Sequence, residues 1–175
     1  MITKINDASQ HQPLRDLLRG LVTYNPASKG VGSAQNSLVD PALVTAGSLV
    51  IKGVHVATVA ASSSFFALED TTIPIGGAGT FVCCINAAGS GIGYAADVLT
   101  SAQVSTAGGT AAGAQAAAVI PAIPDTMCPV ALYTTVAGSV SHVAGSSSFS
   151  LVTSAGGSHL FTQIAQLQTI SANPA

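Results

Sequence analysis

The sequence lacks positive charge over most of its length. From residue 53 to residue 175 it contains neither lysine nor arginine, and its only acids there are Glu69, Asp70, Asp97 and Asp125. A segment without cations cannot neutralise phosphate groups, and it offers few side chains for acid and base chemistry. We therefore expect no nucleic-acid partner, and the sequence favours a structural or assembly protein over an enzyme.

Charge is scarce in the chain as a whole. Only 7% of the 175 residues are charged and the formal net charge is −2, whereas about a quarter of the residues in a typical soluble domain are charged. Such a weak net charge opposes self-association very little. The length allows one domain of ordinary size and an additional arm. We expect a chain whose surface is largely covered by neighbouring subunits.

Long apolar runs are also missing. Residues 1–7 lack the apolar core of a signal peptide, and no stretch approaches the roughly 18 uninterrupted apolar residues of a membrane-spanning helix. We therefore expect a protein that is made in a cytoplasm and has no membrane partner.

Cysteine is sparse and badly spaced for a disulfide framework, since the only three are Cys83, Cys84 and Cys128. Consecutive Cα atoms lie about 3.8 Å apart, and neighbouring side chains of a strand point to opposite faces, so Cys83 and Cys84 cannot pair. The four histidines stand alone in the sequence, without the ligand spacing of a metal site. We expect buried thiols and no metal.

The N-terminal segment is the part with helical character. Leucines recur there at positions i, i+3, i+4 and i+7, with charged residues on the other face, which predicts a short amphipathic helix. Its apolar face provides the candidate partner-binding residues Leu14, Leu17, Leu18 and Leu21. This helix either packs on its own domain or docks on a neighbouring subunit, and the sequence leaves both alternatives open.

Three segments of different composition follow along the chain. Residues 1–45 contain the helix and a turn-rich extended arm, residues 46–153 predict a β-rich core domain, and residues 154–175 form a C-terminal segment whose apolar spacing fits either a helix or a strand. Short strands separated by turn residues are typical of a sandwich or barrel. We therefore predict a mainly β fold, an antiparallel sandwich or barrel with a short N-terminal helix. The predicted strands are 48–54, 56–60, 65–68, 71–75, 80–85, 93–99, 130–136 and 148–152.

One segment interrupts the predicted strands. Residues 106–120 are rich in alanine and glycine, and a proline follows at position 121. The glycines make the first half a poor helix, although residues 114–119 have the composition for about one and a half turns. The pattern favours a loop.

Residues 81–99 resemble the strand, glycine turn and helix of a dinucleotide-binding site. The pattern does not close, because Tyr94 occupies the place of the third glycine and Ala87 the place of the early glycine in the short-chain dehydrogenase variant. No basic residue follows to bind phosphate. A β-turn at residues 88–91 that joins two strands explains the sequence better, and we expect no cofactor.

Catalytic patterns are equally incomplete. No Gly-x-Ser-x-Gly elbow is present. His142 or His159 can meet a serine and an aspartate in space, but polar residues on strand edges and loops are the favoured interpretation. Glu69 and Asp70 are expected to mark a solvated turn rather than a carboxylate pair or a calcium site. We expect no catalytic residues.

The central region, about residues 45–138, carries three runs of small and apolar residues that resemble a β-rich domain of small virion proteins of tailed bacteriophages. In that family a run such as Gly53-Val-His-Val-Ala-Thr-Val-Ala60 leads into an apolar strand, followed by one like Phe81-Val-Cys-Cys-Ile-Asn-Ala-Ala-Gly-Ser90. An alanine-rich loop then ends in a run like Ile120-Pro-Ala-Ile-Pro-Asp-Thr-Met-Cys-Pro-Val-Ala131. Asn86 and Ala131 depart from the Asp and Gly that are usual there.

This resemblance implies a structural component of a phage virion, most simply a capsid decoration (cement) protein on the capsid exterior. Its implied partners are the major capsid protein and further copies of the chain in a homotrimer. A head-fibre or tail-fibre adhesion module is the alternative within the same family. A small β-barrel hydrolase or ligand-binding protein is the alternative from another class, and no residue pattern favours it.

Overall fold

The computed structural model describes residues 23–26, 32–33, 40–43, 47–51, 54–60, 62–120, 122–124 and 126–163. These residues are mainly in strands, which confirms the predicted mainly β class. The predicted N-terminal helix, with Leu14, Leu17, Leu18 and Leu21, lies outside the described residues.

The described residues form twelve strands and three short helices. The first seven strands are β1 (Thr23–Pro26), β2 (Gly32–Ser33), β3 (Ala42–Leu43), β4 (Gly47–Ile51), β5 (Val54–Val59), β6 (Phe66–Leu68) and β7 (Thr71–Ile73). They are followed by β8 (Ala78–Asn86), β9 (Gly91–Leu99), α1 (Ser101–Thr106), α2 (Ala111–Ala117), β10 (Met127–Val136), β11 (His142–Ala144), α3 (Phe149–Ser154) and β12 (Ser158–Gln163).

The main sheet has five strands in the order β12-β10-β8-β9-β6. Adjacent strands of this sheet are antiparallel, except that β6 runs parallel to β9, so the sheet is mixed. The prediction of an antiparallel sheet is therefore wrong at the β6 edge. Four strand spacings of a flat sheet would separate the two edges by roughly 19 Å. Instead, the rings of Phe66 on β6 and Phe161 on β12 lie 6.0 Å apart. The sheet is therefore curled into a half-barrel.

The curl gives the sheet two differently covered faces, which we call the inner and outer faces. Because strand side chains alternate, β8 sends Phe81, Cys83 and Ile85 to the inner face and the residues between them to the outer face, and all are buried. Tyr133 and Phe149 complete the inner core, while α1 and α2 cover the outer face. A central strand buried on both sides explains the near-continuous apolar run at residues 81–85.

The inner face is closed by smaller elements. A ribbon of β7 and β11, which we call the β7–β11 ribbon, pairs His142 with Ile73. At the β6 edge, Phe66 N–H donates to Pro41 O at 3.1 Å and Leu68 N–H donates to Asp40 Oδ1 at 3.0 Å. A second sheet, in the order β1-β4-β5, contacts β10 through β1 and β4.

Three segments differ from, or complete, the sequence-based expectations. The predicted strand 148–152 is wrong, because residues 149–154 form α3 and bury Phe149 and Val152, one turn apart, against the inner face. The predicted loop 106–120 is also wrong in part, since α2 and the end of α1 lie within it. In the C-terminal segment, where helix and strand were both open, residues 158–163 form β12 and pair with β10.

Candidate functional surface

The four leucines predicted to bind a partner, Leu14, Leu17, Leu18 and Leu21, lie outside the described residues, so their role stays a prediction. All five lysines and arginines of the chain lie there as well. The described part of the protein therefore carries carboxylates without a single cationic Lys or Arg side chain. Its functional surfaces must be sought among carboxylates, histidines, cysteines and apolar side chains.

The four described carboxylates hold loops and strand edges in place. Glu69 Oε2 accepts the Ala95 N–H at 2.9 Å, Asp70 Oδ1 accepts the Ser146 hydroxyl at 2.9 Å, and Asp97 Oδ2 accepts the Val119 N–H at 3.1 Å. Asp40 satisfies the edge of β6, as described above. Glu69 and Asp70 are exposed between β6 and β7, as expected for a solvated turn. Each carboxylate thus has a structural role that accounts for its position.

The glycine-rich motif of residues 81–99 is a β-hairpin. Strands β8 and β9 pair along their length, and the turn between them is held by Asn86, whose Oδ1 accepts the Ala88 and Ser90 N–H groups at 2.9 and 3.0 Å. Gly89 adopts φ 81°, which only glycine does readily. No helix follows the turn, so no helix N-terminus faces a phosphate site. The predicted hairpin interpretation is confirmed.

Among the residues that the structure describes, neither His142 nor the Nδ1 atom of His159 is hydrogen-bonded to a serine that could act as a nucleophile. His142 is 1% exposed, and neither of its ring nitrogens has a hydrogen-bond partner among the described residues. His159 packs its ring 5.7 Å from that of Phe149, and its Nδ1 is likewise buried without a partner. In the part of the chain that the structure describes, no three His, Cys, Asp or Glu side chains are placed to hold a metal ion.

The cysteines are buried thiols, as expected. Burial, reinforced by the nearby Cys84 and Asp40, raises the pKa of Cys83 well above its ordinary value. Burial also raises the pKa of Cys84 to about 12, with a smaller contribution from Cys128. The thiolate is the reactive form of cysteine, so Cys83 and Cys84 are held in their unreactive state near neutral pH.

Helices α1 and α2 form a grooved surface on the outer face of the main sheet. Thr100 begins α1 with a capping box, in which its hydroxyl accepts the Gln103 N–H and the Gln103 side chain accepts the Thr100 N–H. Thr110 begins α2 by accepting the Gly113 N–H at 3.1 Å. These two caps help to start helices of six and seven residues, which are too short to be stable by propensity alone.

Side-chain contacts fix α2 to the sheet. Ala111 and Ala114 are buried against the outer face, and Gln115 Nε2 donates to Thr134 Oγ1 at 3.1 Å. Thr134 Oγ1 in turn shares a 3.0 Å hydrogen bond with Thr80 Oγ1 across the strands. A series of hydrogen bonds from Gln115 through Thr134 to Thr80 thus fixes the position of α2 on the sheet.

An open groove of about 500 Å³ lies between these helices. It is lined by Leu99, Ala102, Gln103, Thr106, Ala107 and Ala117. Just beyond the end of α2, Val119 and Ile120 are 72% and 44% exposed. None of these side chains is ionisable. The chemistry of this surface is that of shape-dependent apolar contact.

The sequence analysis missed this surface, although a signal for it was present. The Thr100-x-x-Gln103 spacing is a capping-box pattern, and Thr110 stands directly before an alanine-rich run. The glycines of the segment concealed the signal, because they lower helix propensity by about 1 kcal/mol each.

Comparison with protein-family models, with curated proteins and with solved structures finds no match to this chain. Among the described residues, no helix is both long and apolar enough to cross a membrane.

Proposed function

We propose that the chain is a structural component of a bacteriophage virion, a capsid decoration (cement) protein that binds the major capsid protein on the capsid exterior and stabilises the shell. One observation carries this proposal. All five lysines and arginines lie within residues 4–52, while the described β-rich part exposes uncharged groups and ties its four carboxylates to its own loops.

The proposal gives the two parts different tasks. The β-rich part associates with further copies as a homotrimer through uncharged surface, which a net charge of −2 does not oppose. In this proposal the N-terminal segment, which its sequence predicts to be an amphipathic helix and extended arm, reaches the capsid and packs its leucines on a capsid subunit.

The test uses the full chain and empty capsids of the phage that encodes it. Leu17→Ser with Leu18→Ser removes two apolar side chains, each worth roughly 1.5 to 3 kcal/mol when buried. Affinity for the capsid should fall by about a hundredfold or more, since every 1.4 kcal/mol is tenfold. Cosedimentation measures the occupancy, and far-UV circular dichroism should still show strand structure.

A matched control makes the same kind of change on the described part. Ile75→Ser with Val140→Ser alters two exposed side chains, 60% and 42% exposed, and should leave capsid affinity unchanged. If the leucine variant unfolds instead, the helix belongs to the protein's own core and the proposed arm is wrong.

Two further measurements bear on the assembly. Size-exclusion chromatography with light scattering should give a trimer, and a compact monomer that also fails to bind capsids contradicts the proposal. Negative-stain images of the virion should show density across the shell. Density confined to the tail tip would contradict a decoration protein and support an adhesion module instead.

A further inference from the structure

Four polar side chains on the inner face of the half-barrel have buried atoms without hydrogen-bond partners among the described residues. The unpartnered atoms are Tyr133 Oη, Thr135 Oγ1, both ring nitrogens of His142, and His159 Nδ1. Buried polar groups in native proteins are nearly always paired, and each exception calls for an explanation. His142 stands out among the four, because it is the most deeply buried titratable group apart from Tyr133 and because the ordinary pKa of histidine lies close to neutral pH.

The strand register shows where His142 lies. Ala144, two residues further along β11, belongs to the inner core, so His142 points to the same side. Its partner on β7 is Ile73, and a Cβ placed on Gly79 would lie 2.7 Å from Ile73 Cδ1. Ile73 therefore lies directly over Gly79. The imidazole is thus enclosed between the β7–β11 ribbon and the main sheet.

The surroundings offer no counter-charge for an imidazolium. The titratable groups that neighbouring elements send to this interior are Cys83 from β8, Cys128 and Tyr133 from β10, and His159 from β12, while β7 and α3 contain none. Burial raises the pKa of Tyr133 and Cys83, which keeps both neutral. Three carboxylates belong to segments around this interior. Glu69 is bound to the Ala95 N–H and Asp70 to Ser146, while Asp40, which contributes to the raised pKa of Cys83, is bound to the Leu68 N–H.

We propose that protonation of His142 releases the β7–β11 ribbon from the inner face, so that the fold contains an acid-operated cover over its own core. The ribbon has three residues in each strand and is joined to the main sheet by loops rather than by strand pairing. Short paired segments of this kind open at lower free energy than a central sheet. The proposal concerns the isolated chain and does not depend on capsid binding.

The direction of the pH effect follows from burial. Desolvation lowers the pKa of His142 below its ordinary value of 6.5, and the pKa of His159 is lowered for the same reason. Above about pH 6.5, His142 is neutral in both the closed and the open ribbon, so pH has no effect. Below that pH, the open form takes up a proton that the closed form excludes. Opening becomes more favourable as pH falls, until the closed form itself is protonated.

Hydrogen exchange with mass spectrometry on the full chain tests the proposal between pH 7.5 and pH 5. After correction for intrinsic exchange rates, protection in peptides covering residues 70–73 and 142–147 should fall by up to about tenfold per pH unit below 6.5. Protection in residues 79–85 and 130–136 should persist. Constant ribbon protection overturns the proposal, and so does simultaneous loss in all four segments.

Variants assign the effect to His142. His142→Phe fills the site without a titratable group and should abolish the pH dependence of the ribbon, and His142→Leu serves the same purpose if the larger ring does not fit. Thr135→Val is the matched control, because it removes a buried unpartnered hydroxyl on the same face but no titratable group. It should retain the wild-type dependence. An unchanged dependence in the His142 variants overturns the proposal.

Discussion

On the outer face of the main sheet, Thr134 Oγ1 receives a hydrogen bond from Gln115 and shares another with Thr80. On the inner face, the next residue of the same strand, Thr135, buries an identical hydroxyl with no partner among the described residues. The two threonines differ only in the side to which the strand turns them. Polar groups on the outer face position a helix, whereas those on the inner face are buried without hydrogen-bond partners among the described residues.

The same contrast holds for the helices that cover the two faces. On the outer face, α1 begins with the capping box of Thr100 and Gln103. On the inner face, α3 begins at Ser148, whose side chain makes no cap hydrogen bond. Hydrogen bonds therefore hold the outer cover, while α3 depends on the burial of Phe149 and Val152. The two faces of one sheet are thus covered in two physically different ways, by helices with capping hydrogen bonds on the outer face and by side-chain burial on the inner face.

The largest expected effect comes from removing the ring that holds the inner cover. Phe149 is fully buried, and its ring centroid lies 5.4 Å from that of Tyr133. Phe149→Ala should lower the free energy of unfolding by about 3 to 5 kcal/mol, because it deletes a buried ring and leaves a cavity. Urea denaturation followed by far-UV circular dichroism measures the change. Leu151→Ala, at a 41% exposed position of the same helix, should change it by less than about 1 kcal/mol.

A smaller effect should separate the two threonines. Thr134→Val deprives both Gln115 Nε2 and Thr80 Oγ1 of a partner, and it should cost about 1 to 3 kcal/mol. Thr135→Val keeps the shape of the side chain and removes an unsatisfied hydroxyl, so it should be neutral or slightly stabilising. The same urea experiment compares them. Equal costs at the two positions would show that the inner hydroxyl has a partner after all.

The smallest effect concerns the helix caps. Thr100→Ala removes a capping hydroxyl and should lower the free energy of unfolding by about 1 kcal/mol. Ser148→Ala removes a hydroxyl that forms an exposed hydrogen bond with Ser150 Oγ at 2.9 Å, and it should change stability by less than about 0.5 kcal/mol. Thermal unfolding of the two variants in parallel measures the difference. A larger loss for Ser148→Ala would contradict the assignment of α3 to burial alone.

Much of the strand content was readable from the sequence. Residues 80–85, 93–99 and 130–136 were predicted as strands, and they lie within β8, β9 and β10. A turn at residues 88–91 joining two strands was predicted, and the structure confirms the hairpin with its connection at residues 87–90, because turn formers and missing phosphate-binding residues are local features. The prediction of a strand at residues 148–152 is wrong. The apolar residues Phe149 and Val152 are compatible with either a strand or a helix, and the sequence alone does not show that both side chains must be buried on the same side, as they are in α3.

The candidate surface was less accessible to prediction than the strands. Its groove joins Leu99 at the end of β9 to Ala117 at the end of α2, and neither residue has a chemical signature of binding. The four leucines of the N-terminal segment do have such a signature, and they remain a prediction because they lie outside the described residues. Patterns of charge and periodicity can indicate a candidate site such as the four leucines, but they do not indicate a groove that uncharged residues of separate elements form together.

The sequence by itself determined the mainly β class, the three buried thiols and the separation of cations from the β-rich part, because composition and alternation express these properties locally. Only the tertiary structure decided the curl of the sheet, the parallel placement of β6 beside β9, and the covering of its faces by α1, α2 and α3. It also decided that Thr134 is satisfied and Thr135 is not. The physical reason is that pairing and burial depend on segments far apart in the chain, whose preferences no short window of sequence contains.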